Sequence, residues 1–277
     1  MIARLGHFAL LLALPVAVWG LGASVVGARR RHAGLIASGR NAALAFFALT
    51  SLAVLVMEFA LVTHDFSVSY VAHVGSRSTP LLISVISLWA SLEGSILFWL
   101  WVLALYTALC AWLYRSRHRA ELPYVLATLL GIAVFFLLVL LGPSNPFEVV
   151  TPVPADGPGP NPLLQNHPLM ALHPPAQYLG YVGFSVPFAF AVAALVTGRV
   201  DAWWVRAVRR WTLVAWIFLT LAIVAGGWWA YEVLGWGGYW AWDPVENAAL
   251  MPWLVGTAFL HSVMVQERRE MLRAWNG

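Results

Sequence analysis

The sequence has no lysine, one cysteine and few charges of either sign: 16 arginines and 12 acidic residues make up only 10% of its 277 residues. A soluble domain of this size carries about 25% charged residues, so a water-soluble globular enzyme is close to excluded. The lone thiol, Cys110, lies inside an apolar run and can form neither an intrachain disulfide nor a CxxC pair, which excludes dithiol chemistry by this chain. What fills the sequence instead is hydrophobic residues, 61% of the total, with a mean hydropathy of +0.77. Lipid solvates such a chain. The expectation is an all-α, polytopic transmembrane helical protein, a single membrane domain over residues 1–277.

Hydropathy places about seven spans, at 5–28, 41–63, 88–114, 122–142, 174–198, 211–231 and 248–265. About 20 apolar residues rising ~1.5 Å each cross a ~30 Å core, and each run is about that long. Ser78 to Glu93 is also apolar and either extends the third span or lies along the interface. Arginine placement sets the orientation. Arg29, Arg30, Arg31 and Arg40 follow span one, and Arg115, Arg117 and Arg119 follow span three. Arg199, Arg206, Arg209 and Arg210 separate spans five and six, Arg268, Arg269 and Arg273 close the chain, and only Arg4 and Arg77 fall on the other side. By the positive-inside rule these clusters are cytoplasmic and the N-terminus is outside. Their spread over four loops also argues against nucleic acid as the partner behind a pI near 9.6. Span one lacks preceding basic residues and is too long for a signal peptide, so it is read as retained.

Three connections then face outward: His64–Thr79, the Pro- and Gly-rich Gly142–His173, and Glu232–Asn247. Around the last, residues 226–253 read GGWWAYEVLGWGGYWAWDPVENAALMPW. Trp228, Trp229, Trp236, Trp240, Trp242 and Trp253 are joined there by Tyr231 and Tyr239. An interfacial aromatic belt accounts for one or two such residues per helix end. This density, interleaved with Gly235, Gly237 and Gly238, also fits a platform that a flat ligand approaches closely. Asp243 at N-cap, Pro244 at N1 and Glu246 at N3 spell a helix start, so Asp243 and Glu246 are read as capping residues first. Pro252 should kink that helix.

Among the histidines, His173 precedes Pro174 and Pro175, which should hold it extended at the outer start of span five. There a helix dipole disfavours imidazolium and leaves a nitrogen lone pair; the alternative is a solvated interfacial residue. His261 sits about 20 Å along span seven from Ala248, where an ionisable group marks a functional candidate or an interhelical hydrogen bond. His64 and His73 read as structural loop residues, His167 as a neighbour of His173 with or without a contact to a ligand, and His7, His32 and His118 as boundary residues. Glu58 and Glu93 need partners or protonation, and Arg77 is the best outer basic residue for a carboxylate.

The run Trp236-Gly-Gly-Tyr-Trp-Ala-Trp-Asp-Pro-Val-Glu-Asn-Ala resembles the tryptophan-rich WWD segment of haem-handling proteins of cytochrome c maturation. With its continuation to His261 and Ser262, and with Asn161 to Pro175 and Gly180 to Phe184, it is similar to the CcmF family of haem lyase subunits of the system I pathway, over about the N-terminal half. That resemblance implies a bacterial inner membrane protein whose haem site lies on the periplasmic side. It implies that haem is taken from the chaperone CcmE and attached by two thioether bonds to CxxCH cysteines of apocytochrome c. It further implies a CcmH-type apocytochrome-binding subunit, membrane lipid and quinol as partners, and no nucleic acid. His173 would be an axial ligand of the incoming haem, the tryptophans Trp228, Trp229, Trp236, Trp240 and Trp242 with Asp243 would hold the porphyrin, and His261 would ligate an internal haem b. Further axial ligands would lie beyond residue 277. No residue reads as a general acid or base, which fits chemistry carried by cofactor and substrate. Two other readings remain: a haem-transfer protein without ligase activity, like CcmC, and a structural subunit whose tryptophans form a belt.

Overall fold

The computed structural model describes residues 2–116, 120–165, 167–199, 202–269 and 271–272. Arg117, His118, Arg119 and Arg273, used above in reading the loops, lie outside the described residues. In lipid every backbone group must find its partner within the protein, and the long apolar runs answer by forming helices. In chain order these are α1 (Ile2–Arg29), α2 (Ala33–Val62), α3 (Ser69–Val74), α4 (Leu81–Ile86), α5 (Leu92–Leu113), α6 (Leu122–Leu141), α7 (Pro162–Gln165), α8 (Leu169–Gly183), α9 (Ser185–Thr197), α10 (Ala202–Val233) and α11 (Pro244–Arg269). Seven stretches are long and apolar enough to cross a membrane: α1, α2, α5, α6, α8 with α9, α10 and α11. Among the described residues no strand forms, and one isolated bridge pairs Val68 with Val149.

Small residues set how closely the helices approach, because lipid supplies no hydrophobic force to drive them together. A Cβ on Gly39 of α2 would fall 2.3 Å from Ser24 Oγ of α1, and one on Gly180 of α8 would fall 2.4 Å from the Leu219 backbone of α10. The two ends of the bundle are tied separately. At the arginine-rich end Arg199 pairs with Glu121 at 3.0 Å, Arg209 pairs with Glu267, and Trp211 donates to the Tyr114 hydroxyl at 3.0 Å. At the opposite end Ser69 N–H reaches Glu148 O at 2.7 Å and Val150 N–H reaches Ser67 O at 3.0 Å, which joins the 64–79 and 142–173 connections. Arg77 belongs to the same staple: its backbone N–H reaches Asp156 Oδ1 at 2.9 Å, its Nε–H reaches Ala155 O at 3.0 Å, and its guanidinium lies 5.5 Å from the Phe66 ring.

Three sequence expectations change. The apolar stretch 78–93, read as extending span three or lying along the interface, does not extend it; it folds as α4 and a 3-10 turn over Ser87–Trp89 before α5 begins. The buried Tyr70 hydroxyl fixes that break by donating to Ser87 O at 2.8 Å and accepting Ser91 N–H at 3.2 Å, against a Gly94 that leaves it room. Second, His173 is helical rather than extended: α8 starts at Leu169 and carries Pro174 and Pro175 inside it. Pro174 cannot donate to the carbonyl four residues back, and that carbonyl, Met170 O, instead accepts the Trp89 indole N–H at 3.0 Å. Pro187 likewise withholds a donor from Gly183 O, where α8 gives way to α9. Third, the last connection is shorter than 232–247. Trp228 and Trp229 lie in α10, and only residues 234–243 lie between α10 and α11.

Gly180→Ala forces a methyl into the Leu219 backbone and should cost about 1–3 kcal/mol, the usual range for overpacking. Gly22→Ala meets nothing within 4 Å and should be neutral or slightly stabilising; thermal unfolding in detergent compares the two. The amides of Arg77 and then Gly157 hold the exposed Asp156 carboxyl below its ordinary range. A lowered folded-state value contributes stability above the ordinary carboxylate range and loses it as pH falls through the lowered value. Limited proteolysis of the 142–161 connection should therefore accelerate on acidification, and Asp156→Asn should be fast at every pH.

Candidate functional site

The site forms where α8, α10, α11 and the 234–243 connection meet, at the end away from the arginine clusters. His173 on α8 lies against Gly226 of α10, where a Cβ would sit 2.6 Å from its ring. Its Nδ1 is 2.8 Å from Ala222 O. A carbonyl only accepts, so Nδ1 carries the hydrogen and the neutral ring keeps its lone pair on Nε2. That nitrogen is the one a metal can take, with its ring orientation already set.

His173 lines a small chamber of about 120 Å³ together with Gln177, Trp229, Trp240, Asp243 and Glu246. Three polar atoms of this wall, Trp229 Nε1, Trp240 Nε1 and Gln177 Oε1, are buried without a hydrogen-bond partner. Native interiors seldom leave such groups unpaired, and here three converge beside an imidazole with a free lone pair. A ligand that combines a metal with peripheral hydrogen-bonding groups matches that donor set. A second, larger chamber of about 620 Å³ lies between α10 and α11, lined by Thr220, Val224, Tyr239, Trp240, Trp242 and Trp253 among others. Its volume is in the ordinary ligand range of about 300–1,000 Å³, and such sites are largely apolar and aromatic.

Below the larger chamber two Trp–Thr pairs lock α10 to α11. Trp216 donates to Thr257 and Trp253 donates to Thr220, both at 2.7 Å. Each threonine passes its own hydrogen to the carbonyl of the tryptophan four residues before it, and the two indoles stack 5.9 Å apart. The top is held by a helix cap that the sequence predicts. Glu246 N–H reaches Asp243 Oδ1 at 2.7 Å, and Glu246 Oε2 accepts Ala241 N–H at 2.8 Å. Trp242, just before the cap, has φ +58°, a left-handed backbone uncommon for so large a residue; Asn247 Nδ2 steadies its carbonyl at 2.9 Å.

The residues singled out in the sequence thus divide. His173, Trp229, Trp240 and Asp243 gather at the small chamber, and Trp240 with Trp242 borders the large one. Trp236 is exposed and donates to Gly238 O at 2.9 Å, lining neither. Trp228 turns outward and donates to Glu232, whose other oxygen meets His167 Nε2 at 2.5 Å. His167 therefore ties the start of α8 to the end of α10. His261 stands apart on α11, exposed, with Nδ1 2.8 Å from Thr257 O in its own helix. By the same reasoning as for His173, its Nε2 carries the lone pair. Arg77 lines neither chamber. Glu93 accepts Ser91 Oγ–H at 3.3 Å, whereas Glu58 Oε2 is buried without a partner. Sequence reading missed Gln177, although its position four after His173 puts it on the same helix face. It also missed the twice-written spacing of Trp216 to Thr220 and Trp253 to Thr257.

Residues 89–276 match the family model for cytochrome C assembly protein. The chain is 49% identical over 275 residues to the cytochrome c-type biogenesis protein CycK of Rhizobium meliloti, covering 99% of this chain and 40% of that protein. It is 45% identical over 277 residues to the cytochrome c-type biogenesis protein CcmF of Escherichia coli K12, covering 99% of this chain and 42% of that protein. A solved structure described as cytochrome c heme lyase CcmF superposes with a TM-score of 0.87 at 43% identity, over 100% of this chain and 44% of that one. The chain therefore spans less than half the length of these relatives.

Asp243→Ala should remove the cap and cost about 1 kcal/mol, within the usual 0.5–2 for an N-cap, while Asp243→Asn should keep most of it. Hydrogen exchange at the Glu246 amide should quicken in the first variant and change little in the second.

Proposed function

The chain belongs to the cytochrome C assembly protein family, and on that premise we propose that it carries the haem-receiving part of a haem lyase of cytochrome c maturation. The observation that carries this reading is His173: an imidazole whose free Nε2 opens on a chamber walled by unpaired indole N–H groups and bordered by an aromatic cavity. In this reading haem is the substrate, received from a CcmE-type chaperone on the periplasmic face of the bacterial inner membrane. His173 Nε2 takes the iron, Trp229 and Trp240 offer their N–H groups to its polar periphery, and Trp242 adds aromatic surface. Asp243 acts through the cap, by holding α11 and the 234–243 connection in place. Trp228 and Trp236, both turned outward, fit contact with an arriving partner or with haem at the rim better than a place in the wall.

The bond-making step asks little of the protein. Each haem vinyl group takes up one substrate thiol: an S–C bond forms, and the thiol proton ends on the other vinyl carbon. Two such additions to the cysteines of a CxxCH segment, presented by a CcmH-type subunit, give the two thioether bonds without net oxidation. What the chain contributes is position, since an oriented vinyl and thiol react as neighbours rather than as solutes. His261 fits an axial ligand of a resident haem b, because its Nδ1 is tied to Thr257 O and its Nε2 is free. Such a haem supplies an electron store, with membrane quinol as a donor, that keeps incoming iron ferrous.

Reduced-minus-oxidised spectra of the detergent-purified protein test this, on this chain and on its longer natural form. His261→Ala should abolish the haem b signal of the natural form. His173→Ala should keep that signal and lose the spectrum of added haem ligated by an imidazole. A natural form without haem, and blind to added haem, would overturn the reading in favour of an aromatic belt; haem uptake without thioether formation would leave a transfer protein.

A further inference from the structure

The two chambers meet at two side chains. Trp240 and Ile223 stand in the walls of both, yet His173 lines only the smaller. At about 120 Å³ that smaller chamber falls well below the roughly 300 Å³ at which ordinary ligand pockets begin. The larger, at about 620 Å³, has the room, but its lining residues include no imidazole, thiol or carboxylate to bind a metal. Each chamber has what the other lacks.

The partition between them is not tied down. The Trp240 indole N–H is buried without a partner, whereas the neighbouring Trp216, Trp236 and Trp253 all donate hydrogen bonds. The ring rests edge-on against Trp242, 5.8 Å away at 83°. Its backbone neighbours are better held. Trp236 is pinned to Gly238 O, Ala241 N–H to Glu246, and the Tyr239 carbonyl abuts α10 so closely that a Cβ on Gly227 would lie 3.2 Å from it. Motion at this point therefore belongs to the Trp240 side chain rather than to the connection as a whole, and swinging it aside breaks no hydrogen bond. The larger chamber opens to the surface: Tyr239 and Trp242 on its rim are 71% and 68% exposed.

We infer that the two chambers are one divided site for a metalloporphyrin: the macrocycle is received in the larger chamber, and its iron reaches His173 Nε2 when the Trp240 ring swings out of the partition. This rests on the haem reading of the site and assigns Trp240 a positioning role, as the step between reception and ligation. Binding then has two stages. Reception brings the porphyrin beside Trp242 and Trp253 and quenches their fluorescence at a rate proportional to porphyrin concentration. Ligation follows at a rate set by the ring, independent of concentration, and shifts the Soret band.

Stopped-flow mixing of the full chain in detergent with ferric protoporphyrin, following both signals, tests this. The unaltered protein should show quenching first and a slower, concentration-independent Soret shift. Trp240→Ala should speed the second phase about tenfold, equivalent to a barrier ~1.4 kcal/mol lower, and Trp240→Phe should fall between. His173→Ala should keep the quenching phase and lose the Soret shift. Simultaneous signals in the unaltered protein, or a slow phase unchanged in both Trp240 variants, would overturn the divided site while leaving haem binding intact. Loss of both signals in the Trp240 variants, with their thermal unfolding unchanged, would make the ring a platform instead and also overturn it. If the unaltered protein gives neither signal, the haem reading itself falls.

Discussion

The site hangs on the reciprocal Trp–Thr clasp between α10 and α11. α11 packs chiefly on α10, and the clasp, with the Arg209–Glu267 pair nearer the other end of the two helices, sets its height and rotation. Indole N–H and threonine O–H groups at membrane depth must find partners. The clasp satisfies all of them at once: each threonine accepts an indole from across the interface and donates back along its own helix. Interhelical hydrogen bonds of this kind contribute about 0.6–2 kcal/mol each, and two of them with a stacked indole pair set one register. From that register follow the floor of the larger chamber at Trp253, the reach of the 234–243 connection, and the direction of His261 through the Thr257 carbonyl.

His173 and His261 use one device at different expense. Both give the Nδ1 hydrogen to a backbone carbonyl and keep Nε2 free. His261 finds its carbonyl in its own helix four residues back, a local arrangement that needs no neighbour. His173 finds its carbonyl on another helix, and that approach is open only because residue 226 has no side chain. The imidazole beside the aromatic chambers is therefore oriented by tertiary packing, and the one in α11 by helix geometry alone.

Legibility in the sequence followed the same division between local and long-range causes. The seven apolar stretches and the cap at Asp243, Pro244 and Glu246 depend on residues a few positions apart, and all were readable. The start of α8 was not. Proline chemistry within the segment says that a helix should begin at Pro174, and only Trp89, far away in the chain, relieves the carbonyl that Pro174 strands. The last connection is shorter than 232–247 because α10 runs on to Val233, past the expected end of span six at 231, and α11 begins at Pro244, the start its cap foretells. The pairing of His167 with Glu232, the staple at Arg77 and the orphaned Gln177 oxygen are outcomes of packing, with no local signature beyond residue type. The clasp lies between these cases. Its spacing is written twice in the sequence, but a Trp four residues before a Thr becomes informative only once α10 and α11 are known to be neighbours.

The clasp also bears on how the protein is made. Its two hydrogen bonds link residues 41 and 33 positions apart, a short reach for contacts between membrane helices. α10, the short connection and α11 can enter the bilayer as one hairpin, with its register locked as soon as the second arm is inserted. The chambers between the arms are then shaped during insertion, by contacts local to the hairpin. Docking of that hairpin against α8 completes the wall that holds His173.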